Sequence, residues 1–246
     1  MTMLPPLPRA MLIDMDDTIL SAYGRPEIAW NTIANEFAAE LAPLPPQQVA
    51  TAVLAFARNF WANADASWRL RLGEARHLTV KGGFAALAAA GHRALSDDLA
   101  VRIADRFTAY REEEMFVFPG AHDAIDKLKA LGVRLALVTN GAADMQRAKV
   151  ERFELTHRFD HIQIEGEHGF GKPEERAYLH AMEALGVTPK DTWMIGDNLE
   201  WEVVTPQRLG IYAIWIDVHG EGLPEGSTIR PDRIIRSLSE LVPAAS

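Results

Sequence analysis

The stretch 10–18, Ala-Met-Leu-Ile-Asp-Met-Asp-Asp-Thr, constrains this chain more than any other. Four apolar residues break abruptly into Asp14, Asp16, Asp17 and Thr18. A short apolar run that ends in carboxylates reads as a buried strand whose C-terminal end opens into a polar site. In a parallel sheet, ligands bind beyond that end of the strands. Asp14 and Asp16 are two residues apart, so extended backbone sends both side chains to one side. Adjacent carboxylates repel and need a cation or a shared proton. This stretch alone leaves open a plain Asp-rich turn closing the strand through an Asx bond.

The rest of the chain divides at two breaks. Ser21 to Pro26 is rich in turn residues, and Phe118-Pro119-Gly120 is the second break. Between them the pattern is helical. Ile28, Ile33, Phe37 and Leu41 mark one face, and Val49, Val53, Phe56, Phe60 and Trp61 a second. Phe84, Leu87 and Ala88 mark a third, and Leu99, Ile103, Phe107 and Tyr110 a fourth. Such stripes pack helices, and Trp61 is expected in the core with them. After the second break, helices at 121–131, 143–153 and 172–185 alternate with strands at 133–138, 159–165, 192–195 and 211–216, and Ile234 and Ile235 add a short last strand. A further helix is interrupted by Pro206, which should kink it. This alternation predicts an α/β fold, a doubly wound and mostly parallel sheet covered on both faces. The expected domains are 1–21 with 116–246 as the catalytic core, and 22–115 as an inserted helical cap that could act as a lid.

Composition narrows the chemistry. The chain has 246 residues, a formal net charge of -9 and no cysteine. Thiolate metal sites, disulfides and cysteine nucleophiles are excluded. The acidic balance argues against nucleic acid and anionic membranes as partners. It permits an anionic substrate, because a bound cation inverts the local field. The proline-rich start carries no signal-peptide pattern and no long apolar segment, so a cytoplasmic location is expected. The tail after Pro243 is expected to fray.

Polar clusters punctuate the α/β part. Asp14 to Thr18, Thr139-Asn140-Gly141 and Gly196-Asp197-Asn198 each follow a strand, and Lys172-Pro173 opens a helix after a glycine-containing loop. All can meet at one sheet edge. Carboxylates with water and phosphate oxygens suit Mg²⁺. A lysine and backbone N–H groups beside them suit a phosphoryl group. One carboxylate can carry that group as an aspartyl phosphate.

In this order the clusters resemble the motifs of the haloacid dehalogenase (HAD) superfamily. Asp14-Met15-Asp16-Asp17-Thr18 looks like its first motif, D-x-D-x-T. Thr139 matches the second, Lys172-Pro173 the third, and Gly196-Asp197 with a later acid the fourth. The helical insert resembles the cap that many members carry between motifs one and two. The resemblance runs from about Met11 to Ile216 and implies a Rossmann-like core.

The resemblance implies these roles. Asp14 is the nucleophile. Asp16 protonates the leaving alcohol and then activates water. Asp14, Asp197 and the main-chain carbonyl of Asp16 hold Mg²⁺. Thr139 and Lys172 bind phosphoryl oxygens, with the backbone N–H groups of Asn140 and of Asp16 or Asp17 assisting. Haloalkanoate dehalogenases and phosphonate hydrolases of the superfamily lack the second aspartate, so Asp16 favours phosphate esters. Glu202 stands where the family usually has Asp, and its longer side chain could reach metal waters or brace Lys172. Asp17 stands where members often have glycine, as a turn residue.

The expected function is Mg²⁺-dependent hydrolysis of a small phosphorylated metabolite, by a monomer or weak homodimer. A phosphomutase on the same scaffold and a non-catalytic Mg²⁺- and phosphate-binding scaffold are the rivals. Trp68, Arg69 and Arg71, with Arg76 and His77, form the one basic and aromatic cluster in the insert and are candidates for the anionic leaving group. His161 and His168 are read as non-catalytic, because the motifs already supply an acid–base group.

Overall fold

The computed structural model describes residues 6–243. Residues 1–5 and the tail expected to fray at 244–246 lie outside them. The chain forms two compact units, one built from the residues up to Ser21 and from Phe116 onward, the other from Ala22–Met115. No helix among the described residues is long and apolar enough to cross a membrane.

The first unit is an α/β sheet. Strand β1 (Ala10–Ile13) is wholly buried, as an unbroken apolar run in a sheet covered on both faces must be. A two-residue strand, β2 (Leu20–Ser21), follows it. After the second unit come β3 (Phe116–Val117), β4 (Arg134–Thr139), β5 (His161–Ile164), β6 (Thr192–Gly196), β7 (Tyr212–Ile216) and β8 (Arg233–Ile235). The main sheet has the order β5-β4-β1-β6-β7-β8, with every pairing parallel. Strand β1 therefore sits between β4 and β6, where the chain's winding reverses. In open α/β sheets this switch point opens the ligand crevice. Leu12, Ala136, Val138 and Met194 pack on one face against Ala177, Tyr178, Met182 and Leu185.

The second unit is all helix: α1 (Pro26–Glu36), α2 (Ala38–Leu41), α3 (Pro46–Asn63), α4 (Leu72–Ala89) and α5 (Asp97–Glu113), with a 3₁₀ segment at Ala66–Arg71. Its core gathers Trp30, Ile33, Leu41, Val49, Val53, Phe84, Leu99, Ile103 and Phe107. The Trp30 and Phe107 rings stack at 3.7 Å. Three stripe residues depart from expectation, the first being Ala88, which is exposed at the end of the third stripe. Ile28 is 52% exposed, and Trp30 takes its place in the core. Trp61, expected in the core, is 40% exposed. The last turns of α3 carry an aromatic cluster of their own, in which Phe60 meets Trp61 and Trp68 edge to face at 5.1 and 5.2 Å.

The first unit's helices are α6 (Ala121–Ala130), α7 (Ala143–Arg152), α8 (Glu165–His168), α9 (Glu175–Leu185) and α10 (Thr205–Arg208). Helix α9 begins at Glu175, three residues later than the sequence pattern suggests, so Lys172 and Pro173 lie in the loop before it. Pro206 kinks no long helix. A π-helical segment at Leu199–Val204 hands over to α10, with Pro206 in its first turn, where a missing N–H costs nothing.

Candidate active site

The carboxyl ends of β1, β4 and β6 place the acidic and polar clusters together. The Asp14 N–H bonds the Ile195 carbonyl at 2.9 Å, continuing the β1–β6 ladder one residue past the strand. Asp14 therefore stands level with Gly196, and Asp197 follows on the neighbouring strand end. Gly196 is required there: a Cβ on it would meet Glu202 Cγ at 2.1 Å and Asp14 Cβ at 3.0 Å. Backbone of β6, the Asp14 side chain and the Glu202 side chain thus occupy one tightly packed spot.

Lys172 lies between the two acids. Its Nζ donates to Asp14 Oδ1 at 2.5 Å and pairs with Glu202 Oε1 at 2.7 Å. Lys172 and Glu202 are fully buried and Asp14 nearly so. The other Glu202 oxygen accepts from the Asn198 N–H at 2.7 Å. Burial pushes the Glu202 carboxyl up to about 7, with Lys172 opposing. Burial also raises Asp14 above the usual carboxylate range against the pull of the same ammonium. Lys172 is itself raised by the two carboxylates beside it, which outweigh its own burial. Two buried carboxylates share one ammonium, so the site carries surplus negative charge. Glu202 is thus in direct contact with Lys172.

The Lys172 backbone is clamped by the residue after β4. Asn140 Nδ2 donates to the Lys172 carbonyl at 2.6 Å, and Asn140 Oδ1 accepts from the Lys172 N–H at 2.9 Å. This amide pair keeps Lys172 out of helix α9, which explains that helix's late start. Gly171 leaves the room, since a Cβ there would lie 2.6 Å from Asn140 Oδ1. Glu165 Oε2 accepts from the Gly141 N–H at 3.0 Å and closes the loop from the other side.

Asp16 has a separate set of partners. Lys149 Nζ lies 2.8 Å from each of its oxygens, and Gln146 Nε2 donates to Oδ2 at 2.9 Å. The same Gln146 amide donates to Thr139 Oγ1 at 2.6 Å, tying the first and second clusters together. Sequence reasoning missed both Gln146 and Lys149. A signal existed: they sit three apart in α7, on one helix face directly after the strand end that carries Thr139. Asp17 adopts φ 56°, the left-handed region that glycine enters without cost, as expected of a turn residue.

The basic and aromatic cluster belongs to the helical unit. Arg71 stacks over Trp68 at 4.1 Å and pairs with Glu74 at 3.3 Å. Arg76 is buried and donates to Thr108 Oγ1 at 2.9 Å, and His77 bonds Asp105 at 2.6 Å. Arg69 lies in the same 3₁₀ turn.

Comparison with known proteins adds the family. The model of the haloacid dehalogenase-like hydrolases, a hydrolase family, matches residues 8–210. A phosphoserine phosphatase from Thermus thermophilus is 36% identical over 134 residues, 54% of this chain and 53% of its own length. An N-acylneuraminate-9-phosphatase from Rattus norvegicus is 37% identical over 110 residues, 44% of each chain. The chain spans about half the length of the curated relatives it matches. Among solved structures, a HAD-hydrolase from Bacillus subtilis described as bound to magnesium superposes with TM-score 0.66 at 24% identity, over 96% of this chain and 97% of that one. At that identity the likeness speaks for the fold.

Proposed function

The chain belongs to the haloacid dehalogenase-like hydrolase family, and on that premise we propose that it is a Mg²⁺-dependent phosphatase acting on a small phosphate monoester. The observation that carries this reading is the buried Asp14–Lys172–Glu202 arrangement at the sheet's switch point. Asp14 is the carboxylate in reach of a phosphorus atom entering beyond β1. The named relatives act on different phosphate monoesters, which supports the reaction class and leaves the substrate open.

The donor set fits a hard divalent cation, because two buried carboxylates face one ammonium and Asp197 adds a third acid at the next strand end. Asp14, Asp197 and the main-chain carbonyl of Asp16 would hold Mg²⁺, which would supply the positive charge that lets one anion approach another. The chain's own residues do the rest. An Asp14 carboxylate oxygen forms a bond to phosphorus as the ester P–O bond breaks. Thr139 and Lys172 bind phosphoryl oxygens, helped by the Asn140 N–H. Asp16 gives its proton to the departing alkoxide, then takes one from the water whose oxygen displaces Asp14 from phosphorus. Lys149 Nζ lies 2.8 Å from each Asp16 oxygen. The first step requires a proton on Asp16 and a loosened Lys149 contact.

Trp68, Arg69 and Arg71 are proposed to recognise an anionic leaving group, so Arg69→Met should raise KM for such esters and leave kcat nearly unchanged. The reading as a whole is tested by phosphate release from a panel of monoesters, with and without Mg²⁺. Turnover that requires Mg²⁺ supports it. Silence across the panel, joined by activity on sugar phosphates only with a bisphosphate activator, would replace it with a mutase.

A further inference from the structure

Three histidines cluster outside the site described above. His161 starts β5, His168 ends α8, and His180 lies in the second turn of α9. One ring nitrogen of each lies within 4.8 Å of one from each of the others. Their ring centroids are 5.0, 5.5 and 6.2 Å apart. We propose that His161, His168 and His180 form a second metal site, for a borderline divalent transition cation of the zinc type. This site is independent of the carboxylate site and of the phosphatase reading.

The hydrogen bonds select the free nitrogens. His168 Nδ1 lies 3.1 Å from the Ile164 carbonyl, which can only accept, so Nδ1 carries the hydrogen. His180 Nδ1 lies 2.8 Å from Gln163 Oε1. The orientation of that amide is fixed, because Gln163 Nε2 donates to the Ala177 carbonyl at 2.8 Å. His180 Nδ1 therefore donates as well. Both rings are left with the Nε2 lone pair available. A ligating histidine that donates its other nitrogen to a carbonyl is the usual outer-shell arrangement of a metal site. On His161, Nε2 is buried and has no hydrogen-bond partner.

Three imidazoles around one tetrahedral ion at Zn–N distances of about 2.0–2.1 Å stand about 3.4 Å apart. Pairs that start within 4.8 Å have up to about 1.4 Å to close as the ion binds. An all-nitrogen set disfavours Mg²⁺ and Ca²⁺ and suits zinc-like ions, with a fourth position left for water. Arg176 lies over Phe170 at 4.6 Å, the ring that faces His168 and His180, and is paired with Glu174 at 2.9 Å, so its charge is offset. The site also has a structural consequence. His168 and His180 stand on either side of residues 169–174, the loop that carries Gly171 and Lys172. An ion held by both would staple the ends of that loop to β5.

Co²⁺ serves as the probe, since its visible spectrum reports a tetrahedral nitrogen environment. It is titrated into the full chain with saturating Mg²⁺, in the native protein and in Asp197→Asn, which weakens any competing binding at the carboxylates. One equivalent with a tetrahedral spectrum is expected in both. His168→Gln and His180→Gln should each weaken it at least about tenfold. Zn²⁺ should slow amide exchange at residues 169–174 in the native protein and leave it unchanged in those variants. Co²⁺ binding that is absent, or that persists undiminished in both glutamine variants, overturns the proposal. His161→Phe extends the test if it folds, and the two glutamine variants decide the matter if it does not.

Discussion

Lys172 carries one charge and faces two buried carboxylates, and most of what the site does at the residue scale follows from that imbalance. The Glu202 carboxyl is raised to about 7, so between its ordinary value of 4.5 and about 7 the folded state binds a proton that the unfolded state has released. Its contribution to stability is therefore present below pH 4.5 and fades as pH rises through 7. In Mg²⁺-free buffer the melting temperature should fall between pH 5 and 7.5, and Glu202→Gln should flatten that slope; equal slopes would show that Glu202 does not titrate there. With Mg²⁺ and substrate, Glu202→Gln should lower kcat about 10- to 100-fold, the usual cost of removing a group that orients a catalytic one. Lys149→Met should have a similar effect through Asp16, with Lys149→Arg recovering part of it in steady-state assays. Asp14, Asp16, Lys172 and Asp197 were legible as candidates because each stands in a short polar cluster that follows a strand or precedes a helix. Lys149 and Gln146 were harder to see, because their one signal, a shared helix face three residues apart after the Thr139 strand end, does not say which side of the helix turns inward.

Among the elements, the strand ends are held by backbone contacts that tolerate no extra atoms. Gly196→Ala would drive a methyl into Glu202 and Asp14. Overpacking of that kind typically costs about 1–3 kcal/mol. Chemical denaturation should show that loss, together with a fall in activity, whereas Gly73→Ala in α4, where a Cβ meets nothing within 4 Å, should be silent or stabilising. The Asn140 clamp accounts for the late start of α9. Residues 171–176, Gly-Lys-Pro-Glu-Glu-Arg, hold no apolar residue to mark the boundary, and a side chain from another strand end captures both polar groups of the Lys172 backbone. The same limit applies to Glu202. Its reach to Lys172 depends on the π-helical turn at Leu199–Val204, which the sequence does not announce. Trp61 was misplaced for a simpler reason: a stripe at helical spacing does not say where along the helix the partner ends.

For the molecule as a whole, each unit has its own core. Strands β2 and β3 pair antiparallel, with Leu20 opposite Val117 and Ser21 opposite Phe116. The chain thus leaves the α/β unit and returns to it side by side. Replacing residues 22–115 with Asn-Gly, a two-residue hairpin turn, should give a core that still unfolds in one cooperative transition by circular dichroism. A core that fails to fold would show that the helical unit is needed for its stability. The fold class was legible because alternating helices and strands admit few topologies. The partnership of groups inside the site came only with the sheet order, which sets β1 between β4 and β6. The central claim is that Asp14 carries the phosphoryl group. The most direct measurement is an acid quench of Asp16→Asn with Mg²⁺ and p-nitrophenyl phosphate, an ester whose leaving group departs without a proton from Asp16, followed by mass spectrometry of the peptide containing Asp14. The account predicts a phosphoryl adduct on Asp14, accumulating because its hydrolysis has lost the base. An adduct on another residue, or turnover that survives in Asp14→Asn, would contradict it.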